Sequence, residues 1–514
     1  MPASPRYPRV ASAISLILLL ANCGDDPTGP GAKPGVRAVA GAGVTDTVDA
    51  QPLQALVVEV RGENGSLASG VVVRFEPKPT SEATYYEPTM RVCPLAALVC
   101  GPFGGLLATD TTDANGRAKV TVRMGRVAGQ GVVRLIVPEF GLADSATFTI
   151  TPGAPAEVRA LGADTALDIG GTATLSGRVI DRYNNTRTEA TTLSAGPGSA
   201  ITLDATTGTV TARDMGTQWV LMRYQSLVDS ARVRVVPSGR LLVWSSSERV
   251  VRLVNLNGSN ERTIVSNVSS DYGAFPQFDP TRQRITLHAG SESYGGPPNN
   301  LIVVDTTGAP RRDIGPAVGF STIMATRQLA DGTVLVVAVR SSDASHPGFS
   351  LWRVATDNTI TFVVALPELE STYGGADISH DGTRVAYVAS YTYPAVLRVL
   401  DVSSGSTTVL EANANSPRWS AHDDRIVYLV TPSGYALYGG VATVINANGT
   451  GRRVLGNADF NPGITWSPDG TYVVGRSSDD QGLRLVRVSD GAAVALRFRT
   501  ATGCCHDYWQ PDWR

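Results

Sequence analysis

The stretch whose reading decides the fold is "ITWSPDGTYVVG", residues 464–475. An aspartate on a Ser-Pro-Asp-Gly turn is open to two readings, a displayed catalytic carboxylate or one unit of a repeated scaffold. The surrounding chain separates them. The stretch aligns with "ADISHDGTRVAYVA" (376–389), "PRWSAHDDRIVYLV" (417–430), "TRQLADGTVLVVAV" (326–339) and "PQFDPTRQRITLHA" (276–289). Each copy carries one large apolar anchor: Phe278, Leu329, Ile378, Trp419, Trp466 and finally Trp513. The anchors are spaced by 51, 49, 41, 47 and 47 residues. A catalytic residue would occur once, whereas Asp331, Asp381 and Asp469 recur with the repeat. Pro468 sets φ for the turn, Asp469 bonds back to the backbone and Gly470 tolerates the exit conformation.

A second signature follows each anchor by about twenty residues. It reads "VVRLVNLNG", "NNLIVVDTTG", "FSLWRVATDN", "AVLRVLDVSSG", "GVATVINANG" and "GLRLVRVSDG", each a strand closed by a polar Gly or Asn turn. A period of 40 to 50 residues holding about four short strands is the size of one propeller blade. Six copies predict a six-bladed β-propeller over 239–514. The last anchor, Trp513, lies one residue from Arg514, while "SGRLLVWSSS" (238–247) has the form of the strand that should follow it. The two ends of the repeat region are therefore expected to pair, closing the ring and leaving no open sheet edge. The pattern Pro-x-Trp-Ser-Pro-Asp-Gly, followed by the second signature, resembles the TolB-like propeller family, also called WD-like periplasmic repeats. That resemblance implies a fold and says little of function, because unrelated exported proteins share it.

Upstream, residues 37–152 alternate in strand fashion, as in "GVVVRFEP", "GRAKVTVRMG" and "ADSATFTITPG", with Asp113, Asn115 and Gly116 where a hairpin turns. The run "GVVVRFEP…TTDANGRAKVTV…GQGVVRLIV" resembles bacterial Ig-like domains of the invasin/intimin type. "TSEATYYEPTMRVCPLAALVCGPFGGLLA" is longer than that pattern and reads as an insertion. Within it a local disulfide between Cys93 and Cys100 is expected. Residues 155–236 read as a second sandwich, with Leu175, Val179, Val210, Trp219 and Leu221 facing inward. Its "TGTVTA" turn and strand resemble a second bacterial Ig-like group. The fold class is thus all-β: two Ig-like β-sandwiches followed by a six-bladed β-propeller.

At the N-terminus, Arg6 and Arg9 precede the apolar "VASAISLILLLA" (10–21), which is short for a spanning helix. Leu20-Ala21-Asn22-Cys23 resembles a bacterial lipoprotein signal, although Asn22 departs from the small residue usual there. The resemblance implies a signal peptide over 1–22, acylation of Cys23 and a Gly/Pro-rich tether over 23–36. An ordinary secretory signal or an uncleaved anchor are the alternatives. If the cell has two membranes, the same resemblance implies the outer one, because Gly24 stands in place of the aspartate associated with inner-membrane retention; periplasmic or surface exposure stays open. Setting Cys23 aside leaves four cysteines, of which Cys504 and Cys505 are adjacent.

Net charge is -2, with 18% charged residues and no long block of one sign, which disfavours sequence-independent nucleic-acid binding. No Gly-x-Ser-x-Gly elbow, phosphate loop or paired Cys-x-x-Cys occurs. "GCCHDYW" (503–509) is chemically able to take a soft metal, but a loop disulfide or inert thiols are the simpler reading, and neither metal nor cofactor is expected. In a propeller, blade-to-blade loops and the loops between second and third strands share one face. Tyr272, Tyr373 and Tyr508 fall in the first set, and Tyr294, Tyr391, Tyr393, Tyr435 and Tyr438 in the second. Their broad apolar rings with one polar tip suit peptide or sugar contact, although plugging of the loops would use the same residues. The expectation is an exported, lipid-anchored binding or scaffold protein, with no catalytic residue. Its propeller takes a protein segment or an envelope glycan, and the chain touches membrane through lipid only. A lyase-like propeller enzyme and a purely structural or adhesive protein are the alternatives.

Overall fold

The computed structural model describes residues 33–513 apart from 80–88, 96–99, 101–104, 246, 267, 269–274, 280, 291–297, 310–311, 315–318, 371–374, 390–393, 432–438, 478–481 and 499–507. The described chain is all-β, with one short 3-10 turn at Pro138–Phe140. It divides into two units, Met1–Glu157 with Arg178–Glu189, and Val158–Gly177 with Ala190–Arg514.

In the first unit, one sheet orders Gly35–Ala40, Leu56–Arg61, Arg117–Met124 and Met90–Pro94. A second orders Thr45–Thr47, Leu142–Thr151, Gly129–Val137, Val72–Pro77 and Ala108–Thr111. Strict alternation in Arg117–Met124 and Gly129–Val137 sends Val120, Val122, Val133 and Leu135 into one core with Phe75 and Phe148. Burial of such a face is the main stabilising term of a sandwich. Cys93 and Cys100 are joined by a disulfide, with Cα atoms 5.5 Å apart.

In the second unit, Asp164–Asp168, Leu227–Val236, Gly216–Tyr224 and Thr192–Ala195 form one sheet, and Thr172–Thr174, Thr209–Ala212 and Ile201–Asp204 another. Leu175 and Val210 are buried, as the alternation predicts. Trp219 is not: it is 46% exposed, and its neighbours Gln218, Val220 and Met222 face inward instead. The phase is set by Gln218, whose Nε2 donates to the Gly196 and Gly198 carbonyls while its Oε1 accepts from Ile201 N–H. A buried polar side chain that satisfies three backbone groups outcompetes an aromatic for the inward position.

From Arg240 onward, the described strands form successive antiparallel sheets. Four are four-stranded, and the last is seven-stranded, running from Ala414–Trp419 to Ala493–Leu496. Its long strand Arg453–Trp466 serves two meanders. The front part pairs with Gly440–Asn446 and the back part with Tyr472–Ser477. The first sheet is completed by the chain's far end: Leu241 pairs with Trp513 and Leu242 with Asp512. Consecutive sheets are buried on both faces, each core being shared by two neighbours. Leu242 and Leu253 pack with Phe278 and Ile285, and Ala386 and Leu397 with Trp419 and Tyr428. Sheets stacked on one another in this way, with the first and last strands of the region, Arg240–Ser245 and Tyr508–Trp513, paired in one sheet, make a β-propeller.

The repeated turn is a scaffold element. Asp469 Oδ1 accepts from Thr471 N at 3.0 Å and from the Ser467 hydroxyl, while Ser467 Oγ accepts from Tyr472 N at 2.8 Å. Asp381 and Asp331 repeat the bond to Thr383 N and Thr333 N, at 3.0 and 2.9 Å.

Candidate functional site

The residue immediately before each anchor is polar in every copy: Gln277, Gln328, Asp377, Arg418, Thr465 and Asp512. On these strands the anchor packs between sheets, so the residue before it points away from that core. Five of the six, all but Gln328, line a single cavity of about 70 Å³, shared with Phe275, Arg282, Arg327 and His380. The innermost strands of the ring thus present their polar positions to a common space.

Two carboxylates stitch this wall together. Asp377, 1% exposed, accepts from Trp419 N at 2.8 Å and pairs with Arg327 at 3.1 Å. Asp512 does the same at the ring seam, accepting from Phe278 N at 2.7 Å and from Thr465 Oγ1 at 3.3 Å. Burial pushes the Asp512 carboxyl above the usual carboxylate range, against the lowering bond from Phe278 and the nearby Arg327 and Arg418 charges. Arg327 also donates to the Ile378 carbonyl, and Arg418 NH1 to the Ala376 carbonyl at 3.2 Å. The Arg418 guanidinium lies 5.9 Å from the Phe275 ring centroid. Phe275 holds φ at +38°, a left-handed conformation that is costly for a bulky side chain and concentrates at functional positions.

Behind the wall His288, 1% exposed, meets Thr326 Oγ1 through Nε2 at 3.2 Å and Phe275 ring to ring at 5.4 Å. Its Nδ1 is buried without a partner among the described residues. Burial, helped by the Arg418 charge, drives its pKa down to about 3, so it is neutral at physiological pH. His380 is also lowered, by burial and then by the Arg327 charge. The chemistry available is charge-assisted hydrogen bonding from guanidinium groups beside aromatic edges. Among the described residues, no group of three or more His, Cys, Asp or Glu is placed to hold a metal.

Tyr272, Tyr294, Tyr373, Tyr391, Tyr393, Tyr435 and Tyr438 lie outside the described residues, as do Cys23, Cys504, Cys505 and His506. Tyr508 is described through its backbone, which pairs with Ser245. The cavity residues were missed because each reads as a strand residue flanking an anchor. The available signal was the persistence of polarity at one repeat position that buried neighbours surround.

No family model matches the chain, and no curated protein matches it. Solved structures match it at low sequence identity. It is similar to TolB from Acinetobacter baumannii, with 13% identity over 61% of this chain and 81% of that one, at a TM-score of 0.43. It is similar to a chain of a nidogen/laminin complex, with 9% identity over 54% of this chain and 98% of that one, at a TM-score of 0.40. An oligogalacturonate lyase in complex with manganese matches with 12% identity over 68% of this chain and 87% of that one, at a TM-score of 0.32. TolB-like β-propeller proteins are thus among its structural neighbours.

Proposed function

We propose that this chain is an exported lipoprotein, anchored through acylated Cys23, whose two Ig-like domains (37–152 and 155–236) present a six-bladed TolB-like propeller that captures a protein partner. The observation that carries this reading is the cavity at the centre of the ring, where Arg282, Arg327 and Arg418 stand beside Phe275 and Trp419. Aromatic and arginine side chains around a concave site are the residue types that dominate protein recognition. Anchoring in the outer membrane and the eight loop tyrosines, as candidate contact residues, belong to the same reading.

The test is photocrosslinking in cells from a reactive amino acid placed at Ala421 or Pro468, both of which line the cavity. A discrete protein adduct is expected, and it should weaken when Tyr391, Tyr393 and Tyr435 are changed to Ala. Adducts with glycan alone, or none, would overturn the partner reading. Labelled palmitate should enter the wild-type chain and not Cys23→Ser. We read the protein as a binder and not an enzyme. Turnover of a polyuronate or other envelope polysaccharide by the purified chain would replace that reading with a lyase-like one.

A further inference from the structure

We infer that the central cavity is a receptor for one carboxylate, the side chain of an Asp or Glu on a protein segment. The inference rests on the partner-binding reading above and names the chemistry of its anchor.

The argument is an account of donors and acceptors. The acidic groups of the wall are already spent. Asp377 is taken by Arg327 and Trp419 N, and Asp512 by Phe278 N and Thr465. Asp279 is taken by its own turn, accepting from Gln283 N at 2.8 Å, Arg284 N at 3.0 Å and Thr281 Oγ1 at 2.7 Å. The donors are not spent. The Arg282 guanidinium makes no hydrogen bond or ion pair with any described residue, although Arg282 lines the cavity and its charge acts on His380. Arg418 commits one nitrogen, NH1, to a carbonyl. Trp419, 5% exposed and also lining the cavity, buries an indole N–H that has no acceptor among the described residues. A buried donor left unpaired destabilises the fold, and an arriving acceptor removes that penalty. Guanidinium and indole N–H groups donate only, so the complement is an acceptor, best a charged one.

Size and charge narrow the class. The cavity of about 70 Å³ is far below the roughly 300 Å³ and more of a site that encloses a whole small molecule. It is also smaller than the roughly 150 Å³ void known to hold benzene, and it suits the tip of one side chain. Arg282, Arg327 and Arg418 are matched in number on the wall by Asp279, Asp377 and Asp512, so a dianion such as phosphate would be less well compensated there than a single negative charge held by the uncommitted guanidinium nitrogens.

The experiment is a ligand-observed NMR titration of the full chain with a blocked Gly-Ser-Glu-Ser-Gly peptide, its Gln counterpart and free galacturonate. The Glu peptide is expected to bind at least tenfold more tightly than the Gln peptide. Arg282→Gln should erase that preference while leaving the melting temperature unchanged, since the Arg282 side chain has no bond to a described residue to lose and its backbone N–H keeps the Asp279 carbonyl. Equal binding of the two peptides, or binding of neither, would overturn the carboxylate inference. Galacturonate binding in place of the peptide would overturn it in favour of an acidic glycan. The crosslinking result is separate: a protein adduct that survives Arg282→Gln removes this inference and leaves partner capture standing.

Discussion

Gly470 shows why one turn recurs through the second half of the chain. It sits at φ +67°, and a Cβ there would meet Arg425 NH2 at 2.7 Å. Arg425 in turn donates to the Gly470 carbonyl at 2.8 Å and lies over the Trp466 ring at 4.9 Å. Gly470→Ala is therefore expected to lower stability by about 1 kcal/mol or more, read by urea unfolding. His288 offers a pH test. Its folded pKa lies below the unfolded value, so its contribution is complete above about pH 6.5 and is lost as the pH falls toward the folded value. Over that window, one such group steepens the loss by at most about 1.4 kcal/mol per pH unit. His288→Asn, which cannot titrate, should flatten the acid limb of a stability–pH profile; an unchanged slope would assign the acid sensitivity to other groups.

At the scale of the element, the strand Tyr508–Trp513 closes the ring and carries Asp512 into the cavity wall. Two opposing terms act on that carboxylate. Its bond to Phe278 N stabilises the seam, while burial penalises its charge. With a raised folded pKa, its contribution is full below the unfolded value and is lost as the pH rises through the folded one. Asp512→Ala leaves the Phe278 N–H without its acceptor and should cost about 1–3 kcal/mol. Asp512→Asn keeps an acceptor without the charge and should be neutral or stabilising at pH 7. Equal losses in both variants would mean that the charge itself holds the seam. Close packing adds a second constraint on closure: a Cβ on Gly239 would lie 2.3 Å from Trp513 Nε1.

At the scale of the whole molecule, the second unit joins sandwich strands and propeller in one folded body. Met215 and Val236 belong to the apolar cluster that holds Leu241, Val474, Leu485 and Trp513. Arg487 NH1 pairs with Asp214 Oδ1 at 2.7 Å, and Arg234 donates to the Ala495 carbonyl at 3.4 Å. Asp214 is 47% exposed, so its ion pair contributes modestly, and the apolar cluster dominates. Met215→Ala is expected to cost about 2 kcal/mol or more and to lower the unfolding midpoint reported by propeller tryptophans. A midpoint that stays put would show that the two parts unfold independently.

The repeat made the propeller legible in advance. Anchors from Phe278 to Trp513 and the turns at Asp331, Asp381 and Asp469 are local patterns, dictated by strand period and turn chemistry, and the pairing of Leu241 with Trp513 follows from where the repeat breaks. Cys93 and Cys100 were likewise close enough in the chain for local reasoning to join them. The cavity was not legible. Arg282, Arg327, Arg418 and Asp512 stand 230 residues apart at the extremes, and each looks like an ordinary strand-flanking residue until ring closure turns the same edge of successive sheets toward one axis. Trp219 failed for a related reason, because its facing depends on what Gln218 finds to bond. Sequence alone determined strand, turn and period, since those depend on neighbours along the chain. Which polar groups meet, and which donors stay unspent, was decided only by the tertiary structure, because closure sets distances between residues that have no local relation.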